Sequence, residues 1–308
     1  MDILTVARRA KHRAYVARKH TRWAAWSAAA RARAQYSKAR GYTYDRARYA
    51  VAGGAEGAIL QPATSTFPVD HLWFPTLLPH AEEEPAPRRL YLLWTGDNPL
   101  TSNRRRSVDV VREENPDLSV ELVTPENLAD YVVDGHPLPT TYEHLSPVHR
   151  SDYLRAYLMY HHGGVYLDIK PYRGRASAYL DVLDTDPTVW AVGSAEVPGN
   201  WSPALRGRLS ADLTTHASKV LNQMSFAFRP HTELAAAWLS EVERRLRYFA
   251  DVLSAHPAVD AMGAYGEYPV PWFALHSASL SPLALKHHER VRIMDSLELS
   301  LGGFETYR

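Results

Sequence analysis

The stretch SDYLRAYLMYHHGGVYLDIK, residues 151–170, combines a helix, a reversal and a strand. A serine and a proline at 146–147 are a helix start signal, and Gly163 is a typical stop, so the pattern predicts a helix over 147–162. The pair Gly163-Gly164 permits a sharp reversal of the backbone. The apolar run Val165–Ile169 then predicts a buried strand.

Polar side chains occupy one face of this predicted strand. Because successive strand side chains point to opposite faces, Tyr166, Asp168 and Lys170 should point the same way. Asp152 and Arg155, three residues apart on the helix, should also share a face. Taken singly, Asp152 and Arg155 predict a weak surface ion pair, and Asp168 predicts a strand-end turn. Ligands of open α/β sheets bind at the carboxyl ends of strands, which makes the combination a candidate ligand site.

Strand and helix patterns alternate from residue 89 onward. Such alternation predicts an α/β fold with a mostly parallel sheet covered by helices on both faces. The patterns predict strands at 90–94 and 120–123, and helices over 102–114, from 124 and over 232–254.

The 308 residues include no cysteine, which excludes disulfides, thiolate metal sites and a cysteine nucleophile. Neither a secretory leader nor a membrane-spanning run is evident, so we expect a cytoplasmic protein that is peripheral to a membrane at most. We expect a basic helical arm at 1–50, a surface connector at 51–87 and one large domain at 88–308.

The predicted arm carries 13 Lys and Arg against 2 Asp and Glu, whereas the rest of the chain is acidic. Two interpretations stay open. The arm is a helical cap that packs on the acidic body, or it binds an anionic membrane surface with Trp23 and Trp26 at the interface. Nucleic acid is not an expected partner, because the arm lacks a recognised reading motif.

The segments Ser151-Asp152-x-x-Arg155 and Gly163-Gly164-Val165-Tyr166-Leu167-Asp168 resemble the glycosyltransferase family with a DxD-type sugar-binding region. That family includes yeast-type mannosyltransferases and capsular polysaccharide transferases, and more remotely glucosylating bacterial toxins. Weaker matches in the same order are residues 92–96, 115–123, 222–226 and 268–272. The resemblance implies a GT-A-type, Rossmann-like sheet with flanking helices, preceded here by the basic helical N-terminal extension.

The resemblance also implies roles for individual residues. Asp152 and Arg155 would hold hydroxyls of a donor sugar through charged hydrogen bonds, with Ser151 and Tyr166 lining the same pocket. Asp168 would contact sugar hydroxyls and the coordination shell of a metal ion. The further substrate-binding candidates are Trp94, Thr95 and Gly96 near the nucleotide, and Asn222 and Gln223 near the reacting sugar.

Lys170 stands where the commonest form of the motif has a second aspartate. That aspartate binds a divalent cation, Mn²⁺ or Mg²⁺, and a lysine supplies no oxygen ligand. Three interpretations follow. Lys170 neutralises the diphosphate itself as a catalytic group alongside Asp152, Arg155 and Asp168. In the second interpretation, a metal ion is still bound by Asp168 together with Asp295 or His276. In the third, the domain binds the donor but does not catalyse transfer.

The expected function is transfer of a sugar, a hexose in this interpretation, from a nucleotide-sugar to a saccharide or lipid-linked acceptor. The reaction would serve polysaccharide or glycoconjugate synthesis, capsular polysaccharide included, with retention of configuration. The alternative is a non-catalytic sugar-nucleotide-binding or scaffolding protein.

Overall fold

A computed structural model describes residues 28–49, 78–81, 84–196 and 207–299, with single positions at 17, 18, 21, 24, 25, 76 and 205. Trp23, Trp26, most of the predicted connector and the chain end from residue 300 lie outside the described residues.

A six-stranded sheet with the order β2-β1-β3-β6-β5-β7 forms the centre of the molecule. Strand β6 runs antiparallel to both of its neighbours, whereas the other pairings in the sheet are parallel. The predicted α/β fold, a mostly parallel sheet with flanking helices, is confirmed, and five of the six strands share one direction. The strands are β1 (Arg89–Leu93), β2 (Ser119–Val123), β3 (Gly164–Leu167), β4 (Tyr172–Arg173), β5 (Ala191–Ala195), β6 (Leu221–Phe228), β7 (Val291–Ile293) and β8 (Glu298–Leu299), with β4 and β8 pairing separately.

Helices cover both faces of the sheet, as the alternating pattern predicts. One apolar cluster joins the sheet to α3, α6 and α7 and includes Trp238, Phe226 and Tyr153, all fully buried. The second cluster joins the opposite face to α2 and α4. The helices are α1 (28–40), α2 (Ser102–Glu114), α3 (Pro147–His161), α4 (Ser177–Thr185), α5 (Gly207–Thr215), α6 (Glu233–Ala255) and α7 (Ser277–Lys286).

One predicted helix is wrong. The chain from Thr124 forms a turn and a short 3₁₀ segment, Leu128–Tyr131, rather than an α-helix. Asn127 explains the difference, because its side chain accepts from the Thr124 N–H (2.7 Å) and donates to the carbonyl of Leu122 (3.0 Å). Those bonds close a local turn in place of the i to i−4 ladder of a helix.

Part of the predicted basic arm packs against the body. Ser37 bonds to the His216 ring (2.8 Å), and Arg48 makes two hydrogen bonds to the carboxylate of Asp212 (2.6 and 2.5 Å). Tyr49 also donates to Asp212 and belongs to the larger apolar cluster. For residues 37–49 these contacts favour the packed-cap interpretation, while membrane attachment through the preceding residues stays a prediction. None of the described helices is long and apolar enough to cross a membrane.

Candidate donor-sugar site

The candidate residues gather at one edge of the sheet. Strands β1 and β3 run parallel and end at this edge, and β6 begins there because it runs the opposite way. The site therefore combines the segments after β1 and β3 with the first residues of β6. Asp168 continues the pairing one step beyond β3, since its N–H donates to the carbonyl of Met224 (2.9 Å). This is the edge at which open α/β sheets bind ligands.

Helix α3 delivers Asp152 and Arg155 to that edge. The helix starts at Pro147 and is capped by Ser146, whose hydroxyl accepts from the His149 N–H (3.3 Å). Asp152 is fully buried, so it is not the surface ion-pair partner that its spacing alone predicts. The α3 face that carries these two side chains is turned toward the strand ends.

Two glycines return the chain from α3 to β3. Gly163 (φ +63°) and Gly164 (φ +98°) both adopt the left-handed conformations that side chains disfavour. A Cβ on Gly164 would lie 2.7 Å from the carbonyl oxygen of Arg89, at the start of β1. Gly164 thus allows β3 to lie against β1, which fixes the position of Asp168 at the end of the strand.

Arg155 lies at the centre of the group. Its guanidinium is 3.3 Å from Asp152 and 3.4 Å from Asp168, and it donates to the carbonyl of Gln223 (3.3 Å). The same guanidinium stacks over the Tyr166 ring at 4.7 Å. One side chain therefore links α3, the end of β3 and the start of β6.

Asp168 is held between positive charges. Its carboxylate is 2.7 Å from the Lys170 ammonium and accepts from the Tyr166 hydroxyl (2.8 Å). Burial works to raise the pKa of Asp168, but Lys170 and Arg155 outweigh it and lower that pKa to about 2. Asp168 is consequently a stable anion near neutral pH.

Asp152 behaves differently although it too faces Arg155. Burial raises the pKa of Asp152 to about 7, with Arg155 opposing the shift and Asp168 adding to it. Within the described part of the chain, neither carboxylate oxygen accepts a hydrogen bond. Besides Arg155, His276 is the other ionisable side chain near the Asp152 carboxyl group, with its Nε2 4.0 Å from Asp152 Oδ2.

The raised pKa of Asp152 predicts a pH-dependent stability difference between wild type and Asp152→Asn. The protonated acid is favoured by folding, so its contribution is complete below about pH 4 and is lost as the pH rises to about 7. The free energy of unfolding of wild type relative to the variant should fall by about 1.4 kcal/mol per pH unit across that window. Urea unfolding of both proteins from pH 4 to pH 8 measures it. A difference that does not change with pH would mean that Asp152 titrates as an ordinary carboxyl group.

The segment after β1 borders the same edge. The Thr95 hydroxyl donates to the carbonyl of Pro147, which ties this segment to the first turn of α3. Trp94 is half-buried, and its Nε1 donates to the carbonyl of Asn98 (2.6 Å). At Gly96 an added Cβ would lie 2.7 Å from the Asn98 side-chain oxygen, which would have to move.

The start of β6 supplies two buried amides. Asn222 accepts from the N–H of Met224 (2.7 Å), and Gln223 donates from its amide to the carbonyl of Leu221 (3.2 Å). The side-chain oxygen of Gln223 is buried and accepts no hydrogen bond among the described residues. A buried polar atom without a hydrogen-bond partner is costly, so the Gln223 oxygen is an exception to the usual pairing of buried polar groups.

Residues 101–170 match the model of a family described as glycosyltransferase sugar-binding region containing DXD motif. These residues are similar to a glycosyltransferase sugar-binding region of the DXD type. The matched segment includes α2, α3 and β3 and ends at Lys170, so the residues Asp168-Ile169-Lys170 stand at the DXD position.

Other comparisons add little to this assignment. No curated protein matches the chain. A solved structure titled "PaToxG Glycosyltransferase" is 15% identical and has a TM-score of 0.32, and the match covers 73% of this chain and 84% of that chain. The TM-score is low, so this likeness supports no assignment of fold or function.

The three metal candidates, Asp168, Asp295 and His276, do not form one site. Among the described residues, no group of three His, Asp or Glu side chains is arranged to hold a metal ion. Asp168 instead faces Lys170 and Arg155, two cations that would repel a third. Asp295 is exposed, and His276 faces Asp152. These residues do not fit the divalent cation that the DXD motif implies.

Sequence reasoning missed one residue of the sugar-binding region. Arg104 in α2 donates to the carbonyl of Ile169 (2.5 Å), which places a guanidinium beside the strand end that carries Lys170. The available signal was the run Arg104-Arg105-Arg106 at the start of the helix that follows β1. Helix starts after the first strand of such sheets lie at the ligand-binding edge.

Proposed function

We propose that the chain transfers a sugar, a hexose in the first instance, from a nucleotide-sugar donor to a hydroxyl group of a saccharide or lipid-linked acceptor. The reaction would belong to polysaccharide or glycoconjugate synthesis and would retain the anomeric configuration. The observation that carries the proposal is the meeting of Asp152, Arg155, Asp168 and Lys170 at the ligand-binding edge of the sheet, within the matched sugar-binding region.

In this proposal Asp152 and Arg155 bind hydroxyls of the donor sugar. A carboxylate and a guanidinium side by side offer acceptors and donors in a fixed arrangement, which selects a hydroxyl pattern. Tyr166 helps to hold Arg155 and Asp168 in place, because its ring stacks against the Arg155 guanidinium and its hydroxyl donates to Asp168. Asp152 and Gln223 have buried side-chain oxygens that accept no hydrogen bond from the described residues, and donor binding would have to open access to these acceptors.

Lys170 and Arg104 would neutralise the leaving nucleoside diphosphate. Both cationic side chains lie at the end of β3, and Lys170 is close enough to Asp168 (2.7 Å) to be held in place before donor binds. A pre-positioned positive charge stabilises a leaving group without reorganising during the reaction. Because the residues do not fit a divalent cation, a neutralising role for Lys170 and Arg104 is consistent with the site.

The transfer step then needs no protein nucleophile. The bond between the anomeric carbon and the diphosphate oxygen breaks, and the electron pair leaves with the diphosphate. The acceptor oxygen forms the new bond on the same face, and its proton passes to the departing phosphate oxygen. Asp168 is unsuited to attack, because two cations hold its carboxylate. Positioning and charge stabilisation therefore carry the reaction.

One observation favours a second candidate function, a non-catalytic binder of sugar nucleotides. Lys170, Tyr166 and Arg155 all contact the Asp168 carboxylate. A carboxylate held by three contacts is not available for chemistry, whereas Asp152 and Arg155 would still bind the sugar. The two functions differ in turnover and not in binding.

Incubation of the full chain with UDP-glucose, UDP-galactose, UDP-N-acetylglucosamine and GDP-mannose separates the two. We expect one donor to raise the melting temperature, since a ligand that binds only the native state stabilises it, and to be hydrolysed slowly to free sugar. Stabilisation without hydrolysis would favour the binder. Neither effect with any donor would contradict both functions.

A further inference from the structure

The loop that joins α6 to α7, residues 256–276, borders the candidate donor-sugar site. It contacts the start of α3 twice, because the Val148 N–H donates to the carbonyl of Ala261 (3.2 Å) and the Ser146 N–H donates to the Tyr268 hydroxyl (3.3 Å). The start of α3 lies at the ligand-binding edge of the sheet, since the helix ends at the opposite edge, where β3 begins. The loop therefore lies at the same edge as the donor-site candidates.

This loop exposes a group of large apolar side chains. Four of the seven such side chains that are exposed in the described part of the chain belong to it, namely Val259, Met262, Tyr265 and Trp272. Single exposed apolar residues are ordinary, but a group of them beside a candidate site is typical of a binding surface.

Trp272 connects this surface to the donor-sugar site. Its ring is 37% exposed and lies 6.3 Å from the ring of His149, at an angle of 61°. Asp152 follows His149 by three residues, or about 4.5 Å along the axis of α3. The residue after Trp272, Phe273, packs on His276, whose Nε2 lies 4.0 Å from Asp152. A ligand on the exposed part of Trp272 would therefore neighbour a sugar that is bound at Asp152.

The loop is held in its conformation by its own contacts. The Asp260 carboxylate accepts from the N–H groups of Met262 (2.8 Å) and Tyr265 (3.0 Å). At Gly263, which has φ +64°, an added Cβ would lie 2.5 Å from the Tyr268 ring, so the backbone approaches that ring closely. A loop that is already ordered exposes its side chains without a further entropic cost on binding.

The charges of the loop favour one class of ligand. Residues 256–276 include Asp260 and Glu267 but no Lys or Arg. Phosphate groups and anionic lipid headgroups are bound by clusters of Lys and Arg, which this loop lacks. An exposed indole instead offers a large, rigid apolar face with one N–H donor. A sugar ring has C–H groups on its faces and hydroxyls around its edge, so an uncharged saccharide fits this combination.

We propose that Trp272 is an acceptor-binding residue, whose exposed ring stacks on an uncharged sugar ring of the acceptor and so places an acceptor hydroxyl beside the donor sugar. The inference rests on the proposed function and narrows its acceptor to a molecule whose terminal sugar carries no charge. It also gives a role to a loop that lies outside the matched segment.

The test compares wild type, Trp272→Ala, Trp272→Phe and Tyr248→Ala. Tyr248 is an exposed aromatic residue of α6, outside the loop, and serves as the control for loss of a surface ring. The donor is whichever nucleotide-sugar of the panel wild type hydrolyses. The acceptors are the methyl glycosides of glucose, galactose, mannose and N-acetylglucosamine, the disaccharides lactose and maltose, and the anionic sugars glucuronic acid and glucose 6-phosphate. Transfer and hydrolysis are measured in the same reactions across a range of acceptor concentrations.

We expect wild type to transfer to at least one uncharged sugar. Trp272→Ala should raise the KM for that acceptor about 10-fold or more and lower the ratio of transfer to hydrolysis to match, because the lost contact binds acceptor only. Trp272→Phe keeps an aromatic face and should raise the KM less than about 3-fold. Tyr248→Ala should have the wild-type KM and the wild-type ratio.

An unchanged acceptor KM in Trp272→Ala, or an equal rise in Tyr248→Ala, overturns the stacking role alone. So does a parallel fall of transfer and hydrolysis in Trp272→Ala, which would place Trp272 in support of the donor site. Transfer by wild type to the anionic sugars only, or to none of the acceptors while the donor is hydrolysed, overturns the uncharged acceptor. Flotation with phosphatidylglycerol vesicles that Trp272→Ala abolishes would assign the surface to a membrane instead. Failure of wild type to hydrolyse any nucleotide-sugar overturns the proposed function and this inference together.

Discussion

Replacing Lys170 with methionine should lower the rate of donor hydrolysis about 100-fold or more, whereas wild-type hydrolysis should persist in EDTA. Methionine keeps an unbranched stem of similar length but removes the ammonium group, 2.7 Å from Asp168, that is proposed to stabilise the leaving diphosphate. Loss of one fixed group that stabilises developing charge commonly costs 10²- to 10³-fold in rate, or roughly 3–4 kcal/mol. Initial rates with and without EDTA measure both effects.

The control is Lys286→Met, which removes the same charge at the far end of α7, where the ammonium lies 5.7 Å from the Tyr44 ring. Its hydrolysis rate should stay within about 2-fold of wild type. A further variant, Lys170→Asp, restores the second aspartate of the motif and should be inactive in EDTA but partly recovered by Mn²⁺. Abolition of wild-type activity by EDTA would contradict the proposed role of Lys170.

Replacing Gly164 with alanine should destabilise the fold by more than about 3 kcal/mol, or prevent folding altogether. The residue has φ +98°, and its added Cβ would lie 2.7 Å from the carbonyl oxygen of Arg89. Strain at such a φ costs about 1–3 kcal/mol in itself. The backbone clash adds to that cost, because relieving it requires β3 to move away from β1.

Gly135→Ala separates the two contributions to this loss. Gly135 also has a positive φ, +82°, but no atom lies within 4 Å of its added Cβ. Its loss of unfolding free energy in urea should therefore be about 1–2 kcal/mol, the conformational cost alone. Equal losses at the two positions would show that the close approach of β3 to β1 contributes nothing.

The local sequence pattern was sufficient to predict the helix and the strand that carry the central motif. The helix predicted over 147–162 is observed as Pro147–His161, and the strand predicted over Val165–Ile169 is observed as Gly164–Leu167. Caps, glycines and apolar periodicity act over a few residues, so their signal is present in the sequence itself.

Long-range pairing was not accessible in the same way. Nothing in the composition of Leu221–Phe228 shows that it is a strand in the middle of the sheet, antiparallel to β3 and β5. The resemblance named Asn222 and Gln223 as substrate-binding candidates, but only the reversal of β6 shows that the strand begins at the candidate edge.

The candidate site was predicted only in part, because some of its residues are close in sequence and others are brought together by long-range packing. Asp152, Arg155, Asp168 and Lys170 lie within 20 residues of one another, and the structure brings them together. His276 was identified as a metal candidate from its residue type alone. Its position opposite Asp152 depends on how α7 packs, which no local pattern contains.

The packing of residues 37–49 has a consequence for the order of folding events. Arg48 pairs with Asp212, 164 residues further along the chain, and Ser37 bonds to His216 across 179 residues. A nascent chain emerges from its amino end, so this segment leaves the ribosome long before its partners exist. These two contacts must wait until five of the eight described strands have been synthesised, so the segment docks late in assembly and closes a long loop when it does.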